Sequence, residues 1–560
     1  MQVQVLPCAP KFSTRPVEAG SARHLIMAAN IRKAVTEDAA SWIQLVKATL
    51  GEDHPNKQVY DPAWVAAELA SGLPGNETWV AEEGGKIQAS ISVLGAVTAN
   101  ENPVCNLGRN LFHPSSYADG AAEALLGKVT ELAVLRRQMC VTRVLASDNP
   151  QQVLIEKTGF VCVGFQPLKH ITKTREEVLF YVKRARSMAS NRLPLSESLP
   201  QIGELAAAVL QHLVIPGAPA IRDGGTGYPL QTDVVISPAS EDDYKAAREA
   251  AAAQNPPQEI SSNFNWGTGF MRVSAAMALR AVLSHREGKV VAGMRYLYDE
   301  QDRCVRVMEA FCTDNLSLGA VLQHVTKAAQ AELSAAYVEM DVLTSSVKLL
   351  ISAEQLGFVP AAYLPGFHKV HDGTMDLVKM VKLNQTYSIE HDKLTAHALT
   401  IVNVIKHCLQ DQSIGVAIIN LLRDLELFKG LGDGELRKVA RLFTQKLFRP
   451  GEKIFGKDDQ GHEAYVVMRG QIDILLEENT APIATLGQGQ VFGELSFLDG
   501  GKRGALAIAK QASILLVMQR PQFFEMTQRE PNLGLAVMRN IALELTVRLR
   551  RTNAALSAKK

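Results

Sequence analysis

The sequence predicts a multidomain α+β protein: two mixed α/β units in tandem, followed by a C-terminal antiparallel β jelly-roll with flanking helices. Three observations carry that expectation. The chain has 560 residues, more than a single hydrophobic core organises. One order of strands and helices runs twice at a period of roughly 200 residues, the mark of an internal duplication. The last quarter breaks into short strands separated by glycine turns, the pattern of an antiparallel barrel.

Bulk composition excludes several classes. Hydrophobic content of 47% and charged content of 21% describe an ordinary globular chain. A net charge of +1 supplies no electrostatic footprint for nucleic acid or an acidic membrane surface. No apolar run reaches membrane-spanning length. Residues 1–27 hold no apolar core ending in a cleavage site, so they read as a disordered leader of a cytoplasmic protein. The seven cysteines (8, 105, 140, 162, 304, 312 and 408) form no CxxC pair, and the histidines form no HExxH. Reduced core thiols and no metal site are expected.

The first unit spans 28–185. Trp79 to Val93 is a hairpin turning at Gly84-Gly85. Cys105 to His113 reads as a central strand, and Ser115 to Leu126 as a loop leading into a helix. Val141 to Ala146 is a further strand, followed by Asn149 to Phe160 and a strand opening at Val161. Proline and glycine clusters mark a linker over 186–232, interrupted by a short helix near Ile202 to His212. The second unit, 233–385, repeats the order. Ser284 to Tyr296 matches the first hairpin, Arg303 to Thr313 the central strand, and Asn315 to Leu322 the loop and helix start. Tyr337 to Leu343 and Glu354 to Pro360 complete the copy. A helical linker over 386–424 carries an apolar stripe at Leu394, Ala398, Ile401, Ile405 and Leu409. It serves either local core packing or docking of the last domain.

That last domain, 425–560, holds a turn at Arg449-Pro450-Gly451, a hairpin signal over Ala464 to Ile474, a strand over Ser513 to Met518 and a helix from Pro531. Leu533, Val537, Ile541, Leu545 and Leu549 recur along that helix at helical spacing. Between the strands lies Phe492-Gly493-Glu494-Leu495, with Arg503-Gly504 beyond it. Backbone N–H groups at a short helix start attract an anion, and an arginine fork grips two phosphate oxygens. The glutamate is left to accept from a sugar hydroxyl.

This stretch resembles the phosphate-binding cassette of cyclic-nucleotide-binding domains, where a Gly-Glu pair is followed by an Arg nine residues after the Glu. The resemblance implies a regulatory cyclic nucleotide at Phe492, Gly493, Glu494, Leu495, Arg503 and Gly504, and a C-terminal helix that closes over the base. Lys502 stands where proline is common, and Gly504 where a Ser or Thr hydroxyl often reaches the phosphate. Losing one such contact costs about 0.5–1.5 kcal/mol. The missing Thr favours cAMP over cGMP. A barrel that keeps the fold and binds no nucleotide is the other reading.

The tandem units resemble the GNAT acetyltransferase fold, in which a loop after the central strand cradles the pyrophosphate of acetyl-CoA or another acyl-CoA. The matching positions are Tyr117, Ala118, Asp119, Gly120, Ala121 and Ala122 in the first unit and Leu318, Gly319 and Ala320 in the second. Tyr117 replaces the usual Arg or Gln, and Asp119 brings negative charge toward a pyrophosphate. Asn149 falls where a side chain steadies the cofactor arm, and Glu309 where some members keep a general base. The family's proton-donating tyrosine falls at Ile155 and Ala353, neither of which carries a proton to give. The resemblance implies transfer of an acetyl group to an amine, a protein lysine among the candidates, under cyclic-nucleotide control. A sensor that uses the GNAT folds as ligand- or protein-binding modules is the alternative. No nucleic-acid partner is expected, because no helix-turn-helix follows the base-capping helix.

Overall fold

The computed structural model describes residues 29–70, 77–94, 104–135, 139–171, 174–184, 192–194, 197–221, 226–254, 256–260, 277–385, 393–414 and 416–557. The expected leader 1–27 lies outside them. Among the described residues the first unit has seven strands: β1 (Asn30–Lys33), β2 (Glu77–Glu83), β3 (Lys86–Leu94), β4 (Val104–Phe112), β5 (Met139–Leu145), β6 (Val161–Ile171) and β7 (Arg175–Lys183). Its helices are α1 (Ala39–Leu50), α2 (Pro62–Leu69), α3 (Pro114–Ala118), α4 (Ala121–Leu135) and α5 (Asn149–Lys157). Gly84 and Gly85 both take positive φ, 57° and 79°, the geometry a tight β2–β3 turn requires.

Two features of β4 shape this unit. Its register on β3 slips between Ser90 and Ser92, and Arg109 takes a φ of 51°, so the strand bulges there. It pairs in parallel with β5 over 104–107 against 139–142, a crossover made by α4. Beyond Leu107 the two strands part, and the gap opens toward α3 and α5.

Helix α6 (Pro200–His212) follows, then the second unit: β8 (Val235–Ala239), α7 (Glu241–Ala252), β9 (Met277–Arg286), β10 (Lys289–Asp299), β11 (Cys304–Cys312), α8 (Leu318–Ala331), β12 (Tyr337–Leu343), α9 (Val347–Gln355), β13 (Val359–Val370) and β14 (Gly373–Leu383). The strand order repeats. The two sheets join edge to edge as one fourteen-stranded sheet, in the order β1-β2-β3-β4-β5-β7-β6-β13-β14-β12-β11-β10-β9-β8. At the seam Gly164 of β6 faces Ala362 of β13. A Cβ on Gly164 would lie 2.2 Å from the Ala362 Cβ and 2.6 Å from the Ala361 carbonyl, so the join needs glycine there.

A buried ionic cluster reinforces the seam. Glu339 of β12 is fully buried, and its carboxylate meets Lys169 of β6 at 2.9 Å and Arg306 of β11 at 2.6 Å. Gln166 Nε2 donates to it at 2.7 Å, and Lys379 lies 3.9 Å away while bound to Asp341 at 2.6 Å. Burial alone raises a carboxyl pKa, but the Arg306, Lys169 and Lys379 cations overcome it and hold Glu339 well below the ordinary range.

The linker helices divide between two cores. Helix α10 (Ala396–Ile414) buries Ala398, Ile401 and Ile405 in the core of the tandem units, packed on β6, β13 and α6. Helix α11 (Val416–Arg423) puts Ile418, Ile419 and Leu422 into the core of the last domain. In that domain α12 (Asp433–Ala440) precedes β15 (Phe443–Phe448), β16 (Lys453–Phe455), β17 (Glu463–Arg469), β18 (Ile472–Leu475), β19 (Ala484–Leu486), β20 (Val491–Phe492), α13 (Glu494–Asp499), β21 (Leu506–Ala509), β22 (Ser513–Gln519), α14 (Arg520–Arg529) and α15 (Pro531–Ser557).

The eight barrel strands form two four-stranded sheets, β15-β22-β17-β20 and β16-β21-β18-β19. The hairpin expected over Ala464 to Ile474 is therefore corrected: β17 and β18 follow one another but lie in opposite sheets. Gly470 makes the crossing at φ 104°, where a Cβ would sit 2.2 Å from the Ser513 hydroxyl. The helix from Pro531 also differs in role. Leu533, Val537 and Ile541 of α15 bury against the domain's helical core, and Asn540 donates to the carbonyls of Leu427 (3.2 Å) and Lys429 (2.9 Å). Among the described residues no helix is long and apolar enough to cross a membrane.

Replacing Glu339 with alanine leaves three buried cations around an empty carboxylate site. Such a loss costs about 3–5 kcal/mol, so E339A is expected to lower the melting temperature of the tandem units, read by calorimetry against the wild type.

Candidate functional site

In the barrel, strand β20 ends at Phe492, and Gly493 turns the chain with φ 75° to start α13. A Cβ there would lie 2.6 Å from Arg503 Nη1, so glycine is what lets the guanidinium approach the turn. Helix α13 ends on Gly500 at φ 72°, and the chain returns through Lys502 and Arg503. Arg503 is 3% exposed. Its Nη1 donates to the Gly493 carbonyl at 2.8 Å and to Ser496 Oγ at 2.7 Å, and its Nη2 to the Glu463 carbonyl at 2.8 Å. The guanidinium lies 4.3 Å over the Phe455 ring, beside the stacked pair Tyr465 and Phe492 at 5.0 Å. Its buried Nε has no acceptor among the described residues.

These residues line a cavity of about 870 Å³. All six positions expected for a cyclic nucleotide, Phe492, Gly493, Glu494, Leu495, Arg503 and Gly504, lie on its wall. The start of α13, the Glu494 side chain and the Arg503 guanidinium all belong to this wall. The lining also includes Asp424 to Leu427, the segment that leaves α11. Among the described residues, helix α15 contributes none of the lining. A Cβ on Gly504 would meet nothing within 4 Å, so there is room for the hydroxyl the sequence lacks.

Residues 445–530 match the family described as the cyclic nucleotide-binding domain. The C-terminal barrel is such a domain. Over 133 residues the chain is 33% identical to the cyclic AMP receptor protein of Thermus thermophilus, covering 23% of this chain and 60% of that one. It is 30% identical over 117 residues to a cyclic nucleotide-gated channel of Caenorhabditis elegans, covering 20% of this chain and 16% of the channel. The solved catabolite activator protein of Thermus thermophilus is 32% identical and covers 24% of this chain and 62% of its own, with a TM-score of 0.22. The chain thus spans less than two thirds of these relatives, and the likeness concerns this domain.

The tandem units hold a second cavity, of about 490 Å³, in the first unit. It lies where β4 and β5 part, and its wall includes Tyr117, Asp148, Gln151, Arg109 and His54. Of the residues expected to hold a cofactor, Tyr117 faces this space. Tyr117 and Ala118 lie in the short helix α3 rather than in a loop, because Pro114 starts a helix with His113 as its cap. Gly120 turns at φ 80° into α4. Ala121 and Ala122 are buried in the first turn of α4, and Asp119 Oδ1 accepts from the Ala121 N–H at 2.8 Å. That carboxylate takes one of the amides an incoming anion would use. Asn149 points away: its Nδ2 donates to the Lys393 carbonyl at 2.9 Å. Ile155 is fully buried in the core.

In the second unit the equivalent gap between β11 and β12 is filled from within. Tyr228 of the linker is 4% exposed, and its backbone N–H donates to Ser352 Oγ of α9 at 2.7 Å. Ile260 bridges to Val342, and the Leu343 N–H donates to the Glu259 carbonyl at 2.9 Å. Leu318, Gly319 and Ala320 form the first turn of α8, all buried, and a Cβ on Gly319 would lie 2.6 Å from the carbonyls of Tyr228 and Pro229. The linker backbone thus occupies the place a phosphate loop would offer. Glu309 is held in ion pairs with Arg248 and, at 3.3 Å, Arg295. Both of its carboxylate oxygens are thus taken up by guanidinium groups.

Two cavity groups were missed from sequence. Asp148 caps α5, accepting from the Gln151 N–H at 3.0 Å, and burial raises its pKa despite that bond. Burial and then the Asp148 charge push the Tyr117 phenol upward. The Asp-Asn-Pro run is a helix-start signal that could have flagged Asp148. Nothing in the sequence marks His54, whose pKa is lowered to about 4 by burial and then by the neighbouring His170. Its Nδ1 accepts from the Asn56 N–H at 3.2 Å, which leaves the proton of the neutral ring on Nε2. Among the described residues no group of three or more His, Cys, Asp and Glu is placed to hold a metal.

A histidine whose folded pKa is depressed withholds a proton that the unfolded chain binds, so stability falls as pH drops from about 6.5 to 4. The expected loss from His54 is on the order of 2 kcal/mol. H54Q should flatten that part of the pH dependence, seen as a smaller fall in melting temperature between neutral and mildly acidic buffer. In the barrel, Gly504→Thr is expected to tighten cAMP binding by up to about tenfold through one added hydrogen bond, measured by calorimetry.

Proposed function

We propose that this protein is a cyclic-nucleotide-regulated N-acyltransferase, with cAMP as the regulatory ligand and the first unit as the catalytic one. The observation that carries the regulatory half is the barrel cavity, where Gly493, Glu494 and Arg503 converge on one wall. For the catalytic half it is the contrast between the copies: the gap between β4 and β5 is a cavity, and that between β11 and β12 is filled by Tyr228 and Ile260.

In this reading acyl-CoA lies in the first-unit gap, with the Gly120 turn beside it, and supplies an activated thioester. The roles of the chain's own residues follow from their environments. Asp148, raised by burial, is suited to accept the proton of an attacking amine. Tyr117 stays protonated and can donate to the departing sulfur, a task Ile155 cannot perform. Positioning supplies the rest of the rate. The acceptor is an amine, with a protein lysine as one class. Asp119, already bonded to the Ala121 amide, favours a second reading, in which the first unit binds a ligand without turning it over.

Calorimetry on the full chain tests both halves. Both cAMP and acetyl-CoA are expected to bind, and Arg503→Ala should weaken cAMP by about tenfold to a hundredfold while leaving acetyl-CoA affinity in the absence of nucleotide intact. Unchanged cAMP binding in a folded R503A protein would remove the nucleotide assignment. Absence of acetyl-CoA binding with cAMP present would remove the acyltransferase and leave the sensor.

A further inference from the structure

Helix α5 walls the first-unit cavity through Pro150 and Gln151, and Asp148 caps its start. The same helix is gripped from its other side by the turn that opens the linker helix α10. Asn149 Nδ2 donates to the Lys393 carbonyl at 2.9 Å, and the Thr395 N–H donates to Gln152 Oε1 at 3.2 Å. Thr395 Oγ1 donates to Glu156 Oε1, and Tyr181 Oη meets the same oxygen at 3.0 Å. Gln152 in turn donates to the Ala146 carbonyl at 2.9 Å, just past the end of cavity strand β5. One turn of linker is thus tied by three hydrogen bonds to three residues along a cavity wall.

At its far end the linker meets the nucleotide cavity. Asp424 to Leu427, which follow α11, form part of that cavity's lining. A Cβ on Gly489, another lining residue, would lie 3.7 Å from Leu425 and 4.0 Å from Leu421. Helices α10 and α11 place their buried residues in different cores, Ala398, Ile401 and Ile405 in one and Ile418, Ile419 and Leu422 in the other. In the second unit, α9 is covered by the Tyr228 segment, which fixes it to its own unit.

We infer that nucleotide occupancy of the barrel is read at α5 of the first unit, through the Asp424–Leu427 rim, the linker helices and the Lys393–Thr395 turn. This rests on the barrel binding a nucleotide, and it locates the regulation of the first-unit site. A ligand that shifts the rim moves α11. A shift of α11 relative to α10 pulls or releases the turn, and the bonded residues of α5 carry the change into Asp148, Pro150 and Gln151.

Hydrogen exchange on the full chain, with cAMP as the probe, tests this without relying on acetyl-CoA. Calorimetry first establishes cAMP binding for each protein. In the wild type, cAMP is expected to change amide protection in 393–398 and in 149–157. Thr395→Val, which removes the hydroxyl bonded to Glu156, should shrink the change over 149–157 by about threefold or more at saturating cAMP. Thr395→Ser, which keeps the hydroxyl, should restore it. A cAMP effect confined to 416–557, or an undiminished effect in T395V, overturns the route. Failure of cAMP to bind the wild type overturns the nucleotide reading and the route with it. Failure of acetyl-CoA to bind leaves the exchange experiment, and this inference, standing.

Discussion

The seam between the duplicated units is the constraint on which the rest of the molecule hangs. Two sheets meet edge to edge because Gly164 lets β6 touch β13, and Glu339 gathers cations from both sides of that contact. A buried ion pair is a weak sign of net stability, since desolvation offsets much of the attraction. Its value here is specificity. Lys169 and Arg306 come from different copies, and each is satisfied in one relative placement of the two sheets. His170 Nδ1 and Asp302 Oδ2 add a hydrogen bond of 3.3 Å across the same seam. Helices α6 and α10 are laid over that seam, on β6 and β13.

That seam also explains how the copies diverged without losing their shape. Both keep the parallel strand pair that parts after four residues, because the pairing is set by short crossover helices and by the strand pattern. What differs is the material next to the gap. The second copy is preceded by a linker able to insert Tyr228, and the small Gly319 admits its backbone at contact distance. In the first copy the gap stays open among the described residues, and Tyr117, Asp148 and Gln151 line it. In the second copy the buried Tyr228 bonds its backbone to Ser352 and fills the equivalent gap.

Much of this was legible in the sequence where local chemistry decides the outcome. The Gly84-Gly85 turn, strands β4, β12 and β22, and the start of α15 at Pro531 follow from turn residues and periodicity. The cassette was legible because Gly493, Glu494 and Arg503 sit on one short segment and need only a turn to converge. What the sequence hides is partner choice. Ala464 to Ile474 carries a hairpin pattern, yet the Gly470 crossing sends its two strands to different sheets, since alternation reports a strand's face and not its neighbour. The apolar stripe of α10 was visible, but not that it packs across the seam. Asn149 looked like a cofactor contact because its helix start is common to both roles; its partner, Lys393, lies far away in sequence. His54 lacks any local signal, because its depressed pKa arises entirely from surroundings assembled by folding.

The Arg503 site illustrates how a switch can be built from internal bonds. The guanidinium is already held by Gly493, Ser496, Glu463 and the aromatic face of Phe455. An anion entering the cavity therefore competes for an arginine that also ties β17 to the turn before α13. Among the described residues the Arg503 Nε has no acceptor. A ligand shifts an equilibrium only by its differential affinity for the two arrangements. If the nucleotide binds as proposed, the same side chain serves as the anion's partner and as the barrel's internal tie, which couples binding to rearrangement at this site. Asp424 to Leu427 line the same cavity, and in the proposed route they are the segment that leads back to α5.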